Sequence, residues 1–449
     1  MPFEGEFAGY APLQRIAQSE KVRNLLRRAV VAPAPGTERR TPPPIAPPST
    51  SKMPDFVVAI DGSNAEVPIQ TGYPGARVGY CTVASVLIDL QLIDRLDESR
   101  PVDPRAFRQT EQASTLDVAI PGSNVTLTND VSARESFRHS LYDVLHDLVL
   151  DENDARPLVE TYEALLKLKP IREGREPACP VDGCDAYFDV PPGITKCPCP
   201  RRRTLFSTDA LRIHEGFKDL GSNMESFGEV MQVWERLFLV HLLRCFERRN
   251  LLSKVNRLAF FVDGPLAVFG HPAWISAAIK SELQRINAKV RAATGSDLLI
   301  IGIEKTGEFV EHFEFVDNTS TPGEPFFPPR GYQLLTDAYI KQRVKLSDSD
   351  KRYGKDTYFG RKLFYKTVSG ARLVATIPFL TKEQDTLDTD DVSLYPRFAD
   401  VCLLLDRLVS SRYPNSLVPL VTAHAHAAIP LNLGAKVLEQ LAIALMRQE

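Results

Sequence analysis

Twice in this chain an unbroken run of apolar, largely β-branched or aromatic residues ends on Asp-Gly: FVVAIDGSN from Phe56 and LAFFVDGP from Leu258. Runs without polar alternation suit strands buried on both faces. Such strands need helices on either side of their sheet, so an α/β architecture is expected. Asp61 and Asp263 then fall at strand ends, where the functional side chains of such sheets gather. The glycine after each aspartate lets the chain turn sharply beside the carboxylate. If the two strands are neighbours, their carboxylates meet, and two like charges ionise together only at a cost. A divalent cation removes that cost, and oxygen donors favour manganese or magnesium. Asp-Gly is also common turn chemistry. What gives these two weight is the repetition of the whole strand–Asp–Gly pattern.

The rest of the chain supplies the other layers. RVGYCTVASVLID, after the turn GYPGA, reads as a second strand, and LDVAIP at 116–121 as a third. Helices are expected at 132–150 and 156–168, and a long amphipathic one over 223–249 with Asn223 as its cap. A further helix is expected at 272–291, then the strand SDLLIIGIEKT ending near Lys305. RKLFYKTVSGARLVATIP has the form of a hairpin, and helical segments at 395–410 and 433–447 close the chain. The order predicts a mixed sheet flanked by helices. In front of this body, whose expected span is 55–449, lie a helical arm at 1–31 and a proline-rich linker at 32–54.

A third carboxylate should come from a helix facing the aspartate pair. Glu247, at the end of the 223–249 helix and just before the Asp263 strand, is the first choice, with Glu235 on the same helix as the fallback. Glu247 also stands among Arg244, Arg248 and Arg249, where a plain solvated glutamate is the simpler account. His424 in TAHAHAAIP has the chemistry to ligate a metal or carry a proton, and His426 competes for that role. Arg361 and Lys362 alternate with aromatics in YFGRKLFYK, a pattern that suits a DNA-contacting strand and equally an amphipathic hairpin.

Residues 177–203 interrupt the pattern with Cys179, Cys184, Cys197 and Cys199. Four sulfurs in so short a segment suit structural zinc in a small insert, although the spacing differs from the commoner paired C-x2-C form. A redox pair or unligated thiols are the alternatives. Arg201, Arg202 and Arg203 follow directly, as phosphate contacts or as a solvated charge run.

Taken in order, AIDGSN, FERRNLL, FFVDGPLAVFG, IGIEKTGEF, SRYPNSL and TAHAHAA resemble the NurA family of nucleases across roughly residues 55 to 447, with 177–203 outside the common core. The resemblance implies a ribonuclease H-like fold and a manganese- or magnesium-dependent deoxyribonuclease. It implies 5′-3′ exonuclease action, endonuclease action on single strands, and a homodimer working with a hexameric HerA-type ATPase in DNA end processing or phage defence. By position it implies metal ligation by Asp61, Glu247, Asp263 and His424, substrate contact by Tyr413, and scissile-phosphate contact by Lys305. The Ala423-His424 element is what favours His424 over His426. The gap from Tyr413 to His424 is longer than in compact members of the family, which weakens the case for Tyr413.

The formal net charge of −3 leaves no global basic field, so any DNA surface must be a local patch. No apolar run long enough to span a membrane and no signal-peptide pattern is apparent, so a cytoplasmic setting with reduced thiols is expected. A catalytically inactive DNA-binding adaptor of a translocase is the competing expectation, which retention of all the acidic positions disfavours.

Overall fold

A computed structural model describes residues 11–29, 42–46, 53–70, 72–93, 111–128, 131–151, 154–170, 179, 181, 184, 186, 188–318, 325–410, 416–429 and 433–446. The chain divides into two units, Met1–Arg40 and Thr41–Glu449. The first contains two short helices, Ala11–Gln18 and Glu20–Arg28, where the sequence suggested one.

The second unit is built on an eight-stranded sheet. Its strands are β1 (Phe56–Gln70), β2 (Ala76–Asp89), β3 (Glu111–Pro121), β8 (Leu258–Asp263), β9 (Ile300–Glu304), β10 (Tyr332–Leu334), β11 (Gly360–Lys366) and β12 (Arg372–Pro378). Two small hairpins lie apart from it, β4 (Val149–Asp151) with β5 (Asp154–Pro157), and β6 (Ile194–Lys196) with β7 (Thr204–Phe206). The sheet order is β10-β11-β12-β9-β8-β1-β2-β3. β1, β2 and β3 form an antiparallel meander, while β8 runs parallel to β1 and β9 parallel to β8. This five-strand arrangement is the ribonuclease H-like mixed sheet, and β12, β11 and β10 extend it antiparallel beyond β9.

Alternation along β1 assigns its two faces. Val58 and Ile60 pack with Phe227, Trp234 and Leu237 of the long helix Met224–Arg248, and with the Ile275–Thr294 helix. Val57 and Ala59 face Leu404 and Leu405 of the Phe398–Leu408 helix, and Leu420 and Ala423 of the Val418–Ala427 helix. Both faces are covered, which is why the apolar runs show no polar alternation.

Three local expectations change. β1 does not stop after Asn64 but continues to Gln70, because its second half pairs with β2 alone. Asn223 precedes the long helix without capping it; its Oδ1 accepts the Lys218 amide instead, at 2.7 Å. Part of the expected linker is fastened to the body, since Pro44 bridges Gly331 and the Ile45 amide donates to the Arg330 carbonyl. Residues 32–41 and 47–52 lie outside the described residues.

Candidate active site

Parallel pairing of β1 with β8 ends at Ile60 opposite Val262, and pairing of β8 with β9 carries on to Asp263 opposite Ile303. Asp61, Asp263 and Lys305 therefore emerge side by side where three parallel strands separate. Lys305 Nζ lies 2.6 Å from Asp263 Oδ1 and 3.4 Å from Asp61 Oδ2. His424, on the opposing helix, brings Nδ1 to 3.3 Å from the same Asp61 oxygen, with its side chain 57% exposed at the mouth of the site. Gly264 takes a left-handed φ of 73°, which turns the chain away directly after Asp263.

Glu235 arrives from the other face of the sheet. A Cβ on Gly62 would stand 2.7 Å from Glu235 Oε1 and 2.8 Å from Met231 Cγ, so the glycine leaves room for this carboxylate. Glu235 is buried and paired with Arg236, whose Nη2 donates to the carbonyls of Asp263 and Pro265 at 3.0 and 2.9 Å. The guanidinium thus ties the long helix to the chain just after β8.

The electrostatics record a crowded negative site. Burial, reinforced by Asp263, pushes the Asp61 carboxyl up to about 6, with Lys305 and His424 pulling the other way. Burial also pushes Glu235 up to about 8 against the pull of Arg236, and Asp61 and Asp263 add to the rise. For Lys305, burial works against the charge, but Asp263 and Asp61 outweigh it and raise its pKa. Two aspartates, a glutamate and an imidazole form a hard donor set whose shared cost a divalent cation would relieve. Among the described residues, the group of three or more donors converging within 4.8 Å is a cysteine set, not this one. At the carboxylates, the Lys305 ammonium stands between Asp61 and Asp263 as their counter-ion.

A model of the NurA domain matches residues 193–429, more than half of the chain. The chain belongs to the NurA family of nucleases. The matched span holds Glu235, Asp263, Lys305 and His424. Asp61 precedes it and joins them through strand pairing. No curated protein matches the sequence. Among solved structures, the NurA nuclease from Sulfolobus solfataricus aligns over 98% of this chain and 97% of its own, at 11% identity and a TM-score of 0.37. A likeness of that size adds nothing to the family assignment.

Within this NurA chain several expected positions move. Glu247 does not reach the aspartates: its carboxylate is held by Arg285, at 2.7 Å from Nη1, and by Lys289. It lies twelve residues along the helix from Glu235, about 18 Å at 1.5 Å per residue. The fallback Glu235 takes the place beside them. A signal for it was present, since Glu235 interrupts the apolar stripe of Phe227, Met231 and Leu239 at four-residue spacing. Arg361 and Lys362 are buried, because β11 is an interior strand between β10 and β12. Lys362 pairs with Glu304 and lies over the rings of Phe309 and Tyr358, at 4.2 and 4.8 Å, so neither residue offers a DNA-facing charge. His426 points elsewhere than His424, into a groove lined by Tyr80, Thr82 and Val437. Tyr413 lies outside the described residues. Arg201, Arg202 and Arg203 are exposed beyond β6, with Arg203 3.6 Å from Glu135.

Of the four cysteines expected to bind zinc, Cys179, Cys184 and Cys197 bring their sulfurs within 4.8 Å of one another, and Cys199 does not join that group. Cys197 Sγ lies 3.3 Å from Cys179 Sγ and 3.5 Å from Cys184 Sγ, and the Cys199 amide approaches Cys197 Sγ at 3.5 Å. The helices among the described residues include none long and apolar enough to cross a membrane.

Proposed function

We propose that the chain is a manganese- or magnesium-dependent deoxyribonuclease, with Asp61, Glu235, Asp263 and His424 as the residues that would hold the ion. The observation that carries this reading is the meeting of Asp61, Asp263, Lys305 and His424 at the point where the parallel strands part, with Glu235 entering over Gly62. When bound, such an ion supplies Lewis acidity toward the phosphodiester and lowers the pKa of water. The protein's own groups do the remaining work. Lys305, released from the aspartates, places a cation against the scissile phosphate. His424, half-exposed beside Asp61, presents Nδ1 toward the same carboxylate oxygen and so would offer that nitrogen to the ion. Arg236 fixes the backbone after Asp263 and so the direction of that carboxylate. Arg201, Arg202 and Arg203 are exposed cations available to a nucleic-acid backbone without reading its sequence.

The finer reading follows the family: 5′-3′ exonuclease action and single-strand endonuclease action, by a cytoplasmic homodimer coupled to a HerA-type hexameric ATPase, in end processing or phage defence. One observation favours the inactive adaptor as a second reading, namely that the Lys305 ammonium already occupies the space between Asp61 and Asp263 and offsets part of their charge. Cleavage of linear and circular DNA with manganese, magnesium or chelator, with and without the ATPase, separates the two. Metal-dependent cleavage lost in Asp61→Asn with DNA binding retained supports the enzyme. No cleavage by the native chain under any of these conditions supports the adaptor.

A further inference from the structure

The β6–β7 hairpin and the chain before it meet around sulfur. The Cys179 amide donates to the Ala186 carbonyl at 2.8 Å, and the Cys184 amide to the Val181 carbonyl at 3.1 Å, which ties these four residues together. In the second cysteine pair, the Cys197 amide donates to the Arg203 carbonyl at 2.9 Å and the Arg202 amide to the Cys199 carbonyl at 2.9 Å. Arg202 takes a left-handed φ of 42° to close that turn. The two cysteine pairs meet across a cluster of Cys179, Val181, Cys197 and Leu205, flanked by Cys184, Ala186, Phe188 and Cys199. Half of this miniature core is cysteine. A handful of apolar side chains cannot repay the entropy of ordering two loops, and cores this small are ordinarily stapled.

We propose that Cys179, Cys184, Cys197 and Cys199 form a closed tetrathiolate zinc site that clamps Cys179 and Cys184 onto the β6–β7 hairpin. The geometry fits the ion. Tetrahedral ligation at 2.3 Å places sulfurs about 3.8 Å apart, close to the 3.3 and 3.5 Å found here. A disulfide fits less well, because three sulfurs lie within 4.8 Å of one another and a disulfide joins only two. Cys199 is the fourth ligand of the proposal: its sulfur lies outside the group of three, but its amide donates toward Cys197 Sγ at 3.5 Å, two residues along the same turn.

The clamp has a structural consequence. The family match begins at residue 193, so Cys179 and Cys184 precede the matched domain while Cys197 and Cys199 lie inside it. β7 then leads straight into Ser207–Leu211, where Asp209 takes a two-pronged ion pair from buried Arg138 at 2.7 and 2.6 Å. Arg138 also donates to the Thr204 carbonyl, so the zinc-held hairpin is keyed to the Ala133–Asp147 helix of the core.

The test is the metal content of the full chain, purified under reducing conditions without chelator. It does not depend on the nuclease reading. The expected result is about one zinc per chain, retained on dialysis against manganese. A mercurial thiol reagent should release it, and cobalt(II) in its place should give sulfur-to-metal charge-transfer absorption. Cys184→Ser with Cys199→Ser should lower zinc to less than about a tenth, while Asp61→Asn should leave it unchanged. Absence of zinc from the native chain, zinc undiminished in the double cysteine variant, or a disulfide among the four would overturn the proposal. The native metal content and the cobalt spectrum decide even if the double variant does not fold.

Discussion

Glu235 and Glu247 stand twelve residues apart on one helix and differ in almost every physical respect. Glu235 is buried against Gly62, and burial pushes its carboxyl up to about 8. Glu247 is half-buried beneath exposed cations, where its hydrogen bonds from Arg285 pull it down to about 2. One carboxylate is kept where its charge is costly, the other where its charge is matched. A buried carboxylate whose charge stays costly even beside Arg236 is rarely tolerated without a task, whereas a pair with exposed cations needs none. The difference teaches that proximity in sequence to Asp263, which pointed to Glu247, counts for less than which turn of the helix abuts the sheet.

The sharpest way to break this comparison is kinetic. Glu235→Gln removes a ligand-type carboxylate and should lower the rate of manganese-dependent DNA cleavage by about a hundredfold or more, the equivalent of several kcal/mol in the barrier. Glu247→Gln should stay within about threefold of the native rate, since its interactions are surface ion pairs. Initial rates on linear DNA at saturating manganese measure both. A reversed ranking would return Glu247 to the site and expel Glu235.

Next comes the space that lets Glu235 in. Gly62→Ala places a methyl 2.7 Å from Glu235 Oε1. Overpacking of this kind costs about 1–3 kcal/mol, and it should also displace the carboxylate and depress cleavage. In a Glu235→Ala background the stability cost should shrink, because the clashing oxygen is gone. Denaturant melts of the two single variants and the double variant give the coupling. Additive effects would mean that Gly62 and Glu235 do not share the space.

The third comparison is of pH. Glu235 ionises near 4.5 when unfolded and near 8 when folded. Its contribution to stability is complete below pH 4.5 and is lost as pH rises through 8. In chelator, Glu235→Gln should therefore be more stable than the native chain at pH 8, by on the order of 1 kcal/mol or more, and the gap should close toward pH 4.5. Manganese should narrow the gap at pH 8 by binding the ionised site. Urea melts across pH check this, and a gap that does not change with pH would refute the raised ionisation.

The fold was largely legible because apolar runs and turn residues are local signals. β1, β2, β8, β9 and the β11–β12 hairpin follow from period and punctuation, and Asp61 and Asp263 were marked by their strands. Less legible was whatever depends on register across the chain. Arg361 and Lys362 read as surface residues because charge usually seeks water. Only the placing of β11 between two other strands, with Glu304 reaching Lys362 from β9, explains their burial. The Val418–Ala427 helix, which delivers His424 to Asp61, was hidden by its alanine-rich and proline-bearing sequence, with little amphipathic pattern to reveal it. Glu235 was visible as a polar break in an apolar stripe, but nothing local says that the facing residue is a glycine.

The smallest effect completes the contrast. Glu247 ionises near 4.5 when unfolded and near 2 when folded. Its contribution to stability is present above pH 4.5 and is lost as pH falls toward 2, the opposite direction to Glu235. Arg285 and Lys289 are themselves well exposed, so solvent screens the pairs. Glu247→Gln should cost no more than about 1 kcal/mol at pH 7. That cost should shrink as salt is raised toward 1 M, where ions screen the attraction between Glu247 and its exposed partners. The unfolding free energy of the two proteins, compared at low and high salt and at pH 7 and 3, measures it. A cost of several kcal/mol that persists in high salt would show that Glu247 is not the solvated member of the pair.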